Sequence, residues 1–446
     1  MSSRVLITLW PFTGHLLPQL SIAVALRERG HEVAFYSGES AREAIEREGF
    51  ELFAFERVDE ERAFATMRAM DTGDGRSRPG AGRLLTVMRE WLVETIPGQV
   101  EDLRAVLARW PADAIATDLS LWGPIVVLWE AEPIPVALSS TFMGPLIPGP
   151  DAPALGFGLR PPRGALSRIG SSVLTRGAEL AATGMRRRVD ELRAGYGLGP
   201  LGMSVNRFTA RLPLYIVGNV RELDYGRRDL PPSVHYVGNC VRYPDAAETV
   251  EWLRAVPTER PWVHVTESTL AFGEPFLLRT AIEALAEEPV EVIVTTGRQR
   301  AEDLLGEAAA APNVHATSWL SHGELLPRCA AMVTVGGKAT VLAAAEAGVP
   351  MVIVPTSWDK PDNARRIVET GAGIRIAPRR LSAETLRTAV RELLDRPSYR
   401  AAAQRLAALL AEAPGAPRAA ELLEQLASQR TGDAAARVPV IGGERA

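Results

Sequence analysis

AAMVTVGGKATVLAAAEAGVPMVIVP, residues 330–355, is a strand, a turn, a helix and a second strand in succession. AAMVTVG is an unbroken apolar run of strand length, and KATVLAAAEAG has helical length and stops at Gly348. VPMVIVP is apolar and β-branched, which suits a buried strand. A strand returning to a strand through a helix is a parallel βαβ unit. Its turn carries Gly336 and Gly337 directly before the helix. Unpaired N–H groups and the positive end of the helix dipole make such a junction an anion site, with Thr340 a hydroxyl donor one turn on. From these residues alone a plain tight turn is an equally good reading. A P-loop is excluded, because Met332 stands six positions before Lys338 and Ala339 follows it.

The same alternation extends in both directions. Upstream lie the strands PWVHVTES (261–268), VEVIVTTG (290–297) and NVHATSWL (313–320), with the helix FLLRTAIEALAEE (276–288) between the first two. Downstream, PTSWDKPDNARRIVE (355–369) is a loop entering a helix, and its Asp359, Lys360 and Asn363 are suited to reading sugar hydroxyls or to capping the helix. The N-terminal part repeats the pattern with RVLITLW (4–10), PQLSIAVALRERG (18–30), HEVAFYS (31–37), AREAIEREG (41–49), FELFAFE (50–56) and DAIATD (113–118). No GxGxxG follows the first strand, which disfavours a nicotinamide enzyme. Ligands of parallel sheets sit beyond the carboxyl ends of the strands. His15, just after the first strand, and Asp118, ending DAIATD, occupy such ends. A histidine backed by a carboxylate is a general base, whereas a histidine that merely packs at the helix start is the blander alternative.

The chain has 446 residues, and at roughly 150 per domain this gives two or three domains. Fifty Lys and Arg against 54 Asp and Glu leave a net charge of −4, without the basic excess of a nucleic-acid binder. Two cysteines, Cys240 and Cys329, exclude a disulfide framework and a cysteine-based zinc site. No apolar run reaches the ~18–20 residues that cross a bilayer, and the N-terminus lacks a secretory layout. The expectation is a cytoplasmic α/β protein. Two stretches stand outside the pattern as loops, 71–82 and the Pro/Gly-rich 144–164. NVRELDYGRRDLPPSVHYVGNCVRYPD (219–245) reads as the link between halves, and 165–195 as an Arg-rich helical stretch.

These features together resemble GT-B glycosyltransferases of the large nucleotide-sugar-dependent family 1, and most of all its bacterial members that decorate antibiotics. The resemblance covers nearly the whole chain. It rests on GHLLP (14–18), PPSVHYVGN (231–239), VTEST (265–269), residues 318–355 and WDKPDNARRIVETGAGIRI (358–376). It implies two Rossmann-like α/β domains with parallel sheets facing an interdomain cleft. Residues 1–218 form the acceptor domain, 219–245 the linker and 246–400 the donor domain. The C-terminal helices, 401–430, pack back toward the first domain, and 431–446 is a tail.

The resemblance also implies site residues. His15 matches the family's base and Asp118 its supporting carboxylate. Gly336, Gly337 and Thr340 match the pyrophosphate turn, and Thr269 a hydroxyl near the phosphates. Trp319 and Leu320 match the nucleobase segment, and Asp359 and Lys360 the pair that contacts the donor sugar. Phe12, Trp122, Phe142 and Met143 are assigned to the acceptor. Val335 stands where the family carries a histidine that donates to the pyrophosphate, and Lys338 is the expected substitute charge. The implied partners are a UDP- or dTDP-sugar and a small-molecule acceptor, polyketide-like or a nucleoside. No metal, cofactor, nucleic acid or stable membrane insertion is expected, and the chain is read as a monomer or homodimer. An auxiliary protein that has lost catalysis stands as the alternative, since the departures cluster in the donor half.

Overall fold

The computed structural model describes residues 2–68, 80–241, 247–267, 275–297 and 299–436, without the side chains of 247–248 and 430–436. Much of the expected 71–82 loop and the position of Thr269 therefore lie outside the described residues. The described end of that loop, from Ala81, is already helical.

Two parallel sheets organise the chain. The first contains β1 (Arg4–Thr8), β2 (Glu32–Ser37), β3 (Glu51–Ala54), β4 (Ala114–Thr117), β5 (Val136–Ser140), β6 (Leu214–Val217) and β7 (Val234–Tyr236) in the order β3-β2-β1-β4-β5-β6-β7. The second contains β8 (Trp262–Thr266), β9 (Glu291–Thr295), β10 (Val314–Thr317), β11 (Cys329–Thr334), β12 (Met351–Ile353) and β13 (Gly373–Arg375) in the order β10-β9-β8-β11-β12-β13. In each sheet the direction of winding reverses once, between β1 and β4 and between β8 and β11. Such a switch point opens a crevice, because the connections on either side leave in opposite directions.

The helices that carry the argument are α1 (Thr13–Glu28), α2 (Ala165–Ala181), α3 (Thr183–Gly195), α4 (Lys338–Glu346), α5 (Lys360–Thr370), α6 (Pro397–Glu412) and α7 (Ala416–Ala436). Apolar side chains cover both faces of each sheet, giving two core clusters per sheet. Buried strands of this kind read as unbroken apolar runs, which is why they were legible in the sequence.

The stretch expected as a pure linker, 219–245, behaves differently. Its residues 234–236 pair with β6 and complete the first sheet, because Val234 is buried and the backbone finds partners along Tyr215–Val217. Helix α6 places Leu406 and Leu410 in the core of the second sheet. Helix α7 crosses back and buries Leu422, Leu423 and Leu426 beneath the first sheet beside Leu16, Leu20 and Ala23 of α1. Three buried leucines at about 1.5–3 kcal/mol each hold it there. Arg29 adds a bond to Glu424 at 2.8 Å. The helix runs on to Ala436, so residues 431–436 of the expected tail are helical.

Candidate active site

Strands β1 and β4 are neighbours, with Thr8 opposite Thr117 and their hydroxyls bonded at 2.8 Å. Whatever follows their carboxyl ends is therefore brought together. His15 sits in the first turn of α1 and Asp118 directly after β4, and His15 Nδ1 bonds the Asp118 carboxylate in a short contact. The other carboxylate oxygen accepts the Ser120 N–H at 2.9 Å and the Thr141 hydroxyl at 3.4 Å. Asp118 is fully buried. Burial works to raise its carboxyl, but the charge and bond of His15 and the Ser120 donors outweigh it and hold it below the usual range. With Nδ1 engaged, Nε2 is the nitrogen left to take a proton, and the side chain keeps 23% of its surface open. That is the arrangement of an oriented general base.

Aromatic rings surround this base. Phe12 meets the His15 ring edge-on at 5.2 Å, and packs on Phe64 at 5.2 Å and Trp91 at 6.0 Å. Trp91 meets Trp358, which comes from the second half, at 5.8 Å. Trp358 has a φ of 60°, a left-handed conformation rare for a bulky residue. Strain of this kind costs ~1–3 kcal/mol and gathers at functional sites. Of the expected acceptor residues, Phe12 borders the base and Phe142 is part-buried against the first core. Trp122 is packed in that core, its Nε1 donating to the Leu119 carbonyl at 3.0 Å. Met143 is 1% exposed and lies among second-sheet residues, so it joins the halves and offers no surface to an acceptor. Phe64, Trp91 and Trp358 are the rings that continue the cluster from Phe12. Nothing local in the sequence marked them, since their proximity depends on three separate elements.

At the second switch point, β11 delivers Val335, Gly336 and Gly337 to the start of α4. Gly336 has a φ of 91°, and a Cβ there would meet Ile353 Cγ2 at 2.8 Å, so only glycine fits. Gly337 occupies the N-cap with no side-chain cap, and the first-turn N–H groups of a helix have no intrahelical acceptors. Thr340 is part-buried in that turn. Val335 is 3% exposed in the apolar core with Val265 and Val333, which leaves no polar donor at that position.

Lys338 departs from expectation. Its Nζ crosses to the first sheet and donates to the Ser140 carbonyl at 3.1 Å. Burial lowers its ammonium to about 8, with Cys240, Asp359 and Asp118 pulling the other way. The ammonium is thus held at the carboxyl end of β5 by the Ser140 carbonyl. Asn363 also differs from the sugar-reading role. It is fully buried, and its amide donates to the Gly336 carbonyl at 3.0 Å and to Asp359 at 2.8 Å, fastening the turn to α5. Asp359 precedes α5, and Lys360 donates to the Thr356 hydroxyl at 3.1 Å. Trp319 is 55% exposed beyond β10, whereas Leu320 is 5% exposed and points into the core. Of the two, only the Trp319 ring is open to solvent.

Glu267, at the carboxyl end of β8, was not anticipated. Burial pushes its carboxyl up to about 7, against the Leu277 N–H bond of 2.9 Å and the charge of Lys360. Among the described residues no three histidine, cysteine or acidic side chains form a metal-holding group.

The loop 144–164 spans the two halves. The Asp362 carboxylate on α5 accepts the N–H of Gly156 at 2.7 Å and of Gly158 at 2.8 Å. Arg365 Nε donates to the Gly158 carbonyl at 3.2 Å, and Arg163 pairs with Glu369 at 2.7 Å. Beneath it, buried Arg366 bonds Asp224 at 2.8 Å. The loop is therefore pinned to the helix that begins beside Asp359.

Two facing parallel α/β units, with a histidine–carboxylate pair on one and a glycine turn before a helix on the other, define the GT-B architecture. Solved structures agree: the glycotransferase of kitacinnamycin superposes with a TM-score of 0.72 at 22% identity, covering 95% of this chain and 99% of that one. The calicheamicin glycosyltransferase gives 0.71 at 20% identity, covering 96% and 99%. Residues 279–428 match the family described as Erythromycin biosynthesis protein CIII-like, C-terminal domain. Over 435 residues the chain is 33% identical to 4'-demethylrebeccamycin synthase of Lentzea aerocolonigenes, spanning 96% of this chain and 100% of that protein. It is 30% identical to O-mycaminosyltylonolide 6-deoxyallosyltransferase of Streptomyces fradiae, over 94% and 96% of the two chains. The chain belongs to the GT-B glycosyltransferases of antibiotic and natural-product pathways.

Proposed function

We propose that the protein transfers a sugar from a nucleoside diphosphate, UDP or dTDP, to a hydroxyl of a small-molecule natural product, with inversion and without a metal. The observation that carries this reading is the His15–Asp118 pair at one switch point, set across from the Gly336–Gly337 turn at the other. His15 Nε2 takes the acceptor proton as the acceptor oxygen attacks the anomeric carbon from the side opposite the diphosphate. Asp118 stabilises the imidazolium. The bond to the diphosphate breaks, and its charge is received by the Gly336–Gly337 backbone and the N-terminus of α4. The rings of Phe12, Trp91 and Trp358 favour an apolar, ring-bearing acceptor. One relative is named for making 4'-demethylrebeccamycin and another for transferring a deoxyallosyl group to O-mycaminosyltylonolide, which supports a small-molecule acceptor.

His15→Ala tests the reading. With a competent donor and acceptor, turnover falls by roughly 10²–10⁴, the usual share of a general base. Turnover within a few-fold of the parent enzyme would remove His15 from this role. Added EDTA leaves the rate unchanged; a metal requirement would contradict the proposed leaving-group site.

A further inference from the structure

We propose that α2 and the loop bonded to it form a docking face for an anionic lipid bilayer, on which the protein lies without crossing. Helix α2 is amphipathic in the inverted sense. The side turned to the protein carries Ser171, Ser172, Thr175 and Glu179, of which Ser171 is buried and donates to the Ala152 carbonyl at 2.7 Å. The side turned to solvent carries Leu166 at 86% exposure, Ile169 and Val173 at 60% and Leu180 at 73%. Positions 166, 169, 173 and 180 fall on one stripe of a 3.6-residue helix. The loop that Ser171 bonds also exposes Phe157, 51% open to solvent between the two glycines that Asp362 pins. An apolar stripe of this size on a folded surface marks an interaction site.

The charge around the stripe selects the occupant. Residues 160–187 hold six arginines and one acid, in a chain whose net charge is −4. Arg160, Arg176, Arg186 and Arg187 are exposed. The one acid, Glu179, is turned inward to Ser204 at 2.9 Å and Arg207 at 2.6 Å. A second copy docking face to face through this stripe would set arginine against arginine, which disfavours self-association. Arg163 and Arg168 are paired with Glu369 and Asp151, and Arg160, Arg176, Arg186 and Arg187 are the exposed arginines of this segment that remain to meet anionic headgroups while the apolar stripe meets acyl chains. No helix among the described residues is long and apolar enough to span a membrane, so the contact is peripheral.

Sedimentation with extruded vesicles tests this, using the full chain and vesicles of phosphatidylcholine with or without phosphatidylglycerol. The protein sediments with the anionic vesicles, and about tenfold or more weakly with the zwitterionic ones. Ile169→Glu/Val173→Glu abolishes binding while leaving the melting temperature unchanged, since both side chains are in solvent. Arg176→Glu/Arg187→Glu lowers affinity by about tenfold, and salt does the same. No sedimentation with anionic vesicles, or equal binding by the Ile169→Glu/Val173→Glu variant, overturns the proposal. So does light scattering that shows a dimer which this variant dissolves. His15→Ala binds vesicles like the parent chain, so a failure of the catalytic reading leaves this one standing.

Discussion

His15 and Asp118 stand 103 positions apart in the chain and meet because β1 and β4 are neighbours. Each residue type was legible at its strand end, but the bond between them was not, since strand order is not written locally. Asp118→Asn isolates the role of the charge. The amide keeps the volume and an acceptor for Ser120 but no longer stabilises an imidazolium. Turnover falls by roughly 10²–10⁴, with little change in donor affinity or melting temperature. A comparable fall in melting temperature would make Asp118 a structural residue instead. Lys338 shows the limit of residue-by-residue reading. Its place in the motif pointed to a phosphate, while its long side chain found the Ser140 carbonyl across the cleft. Val335 is simpler, because an apolar residue at the end of an apolar strand continues the core.

At the scale of elements, the glycine turn and α4 were the clearest features of the sequence, because a strand, two glycines and an alanine-rich helix have few other readings. The loop 144–164 was the least clear. Proline and glycine reveal that it is not regular structure, but not that Asp362 holds it at Gly156 and Gly158. Hydrogen bonds to a charged acceptor contribute about 1.5–3 kcal/mol each when buried. Removing both with Asp362→Ala raises the open population of the loop by about tenfold or more. Limited trypsin digestion reads this as faster cleavage after Arg163, with the other cleavage rates unchanged. Unchanged cleavage would mean that the remaining contacts hold the loop without Asp362. Because the loop belongs to the half proposed to bind the acceptor, the same variant is expected to raise the KM for acceptor more than for donor.

For the molecule as a whole, pH provides a test of the second domain's core. Buried His264 on β8 has its pKa lowered to about 3, by burial and then by the charge of His322, and His322 is lowered to about 4 by burial. Free histidine takes up its proton near 6.5. Between about pH 6.5 and 4 the unfolded chain therefore binds protons that the folded chain refuses. Stability is fully present above about 6.5 and declines as pH falls. The melting temperature drops across that window, and His264→Ala, although lower throughout from the cavity it leaves, shows a shallower slope. Parallel curves for the two proteins would exclude His264 as a source of the acid sensitivity.

Local patterning dictates the alternation of strands and helices, the two α/β units, the glycine turn and the residue types at the strand ends. These follow from hydrophobic periodicity and from backbone preferences that act over a few residues. Tertiary structure alone decided that β7 completes the first sheet, that α7 returns beneath it, and that Met143 and Leu320 are core. It also packed Trp91 on Phe12 and Trp358 on Trp91, gave Asn363 to the glycine turn and sent Lys338 to Ser140. Each of these depends on which distant surfaces are buried together, a property of the packed chain that no local stretch contains.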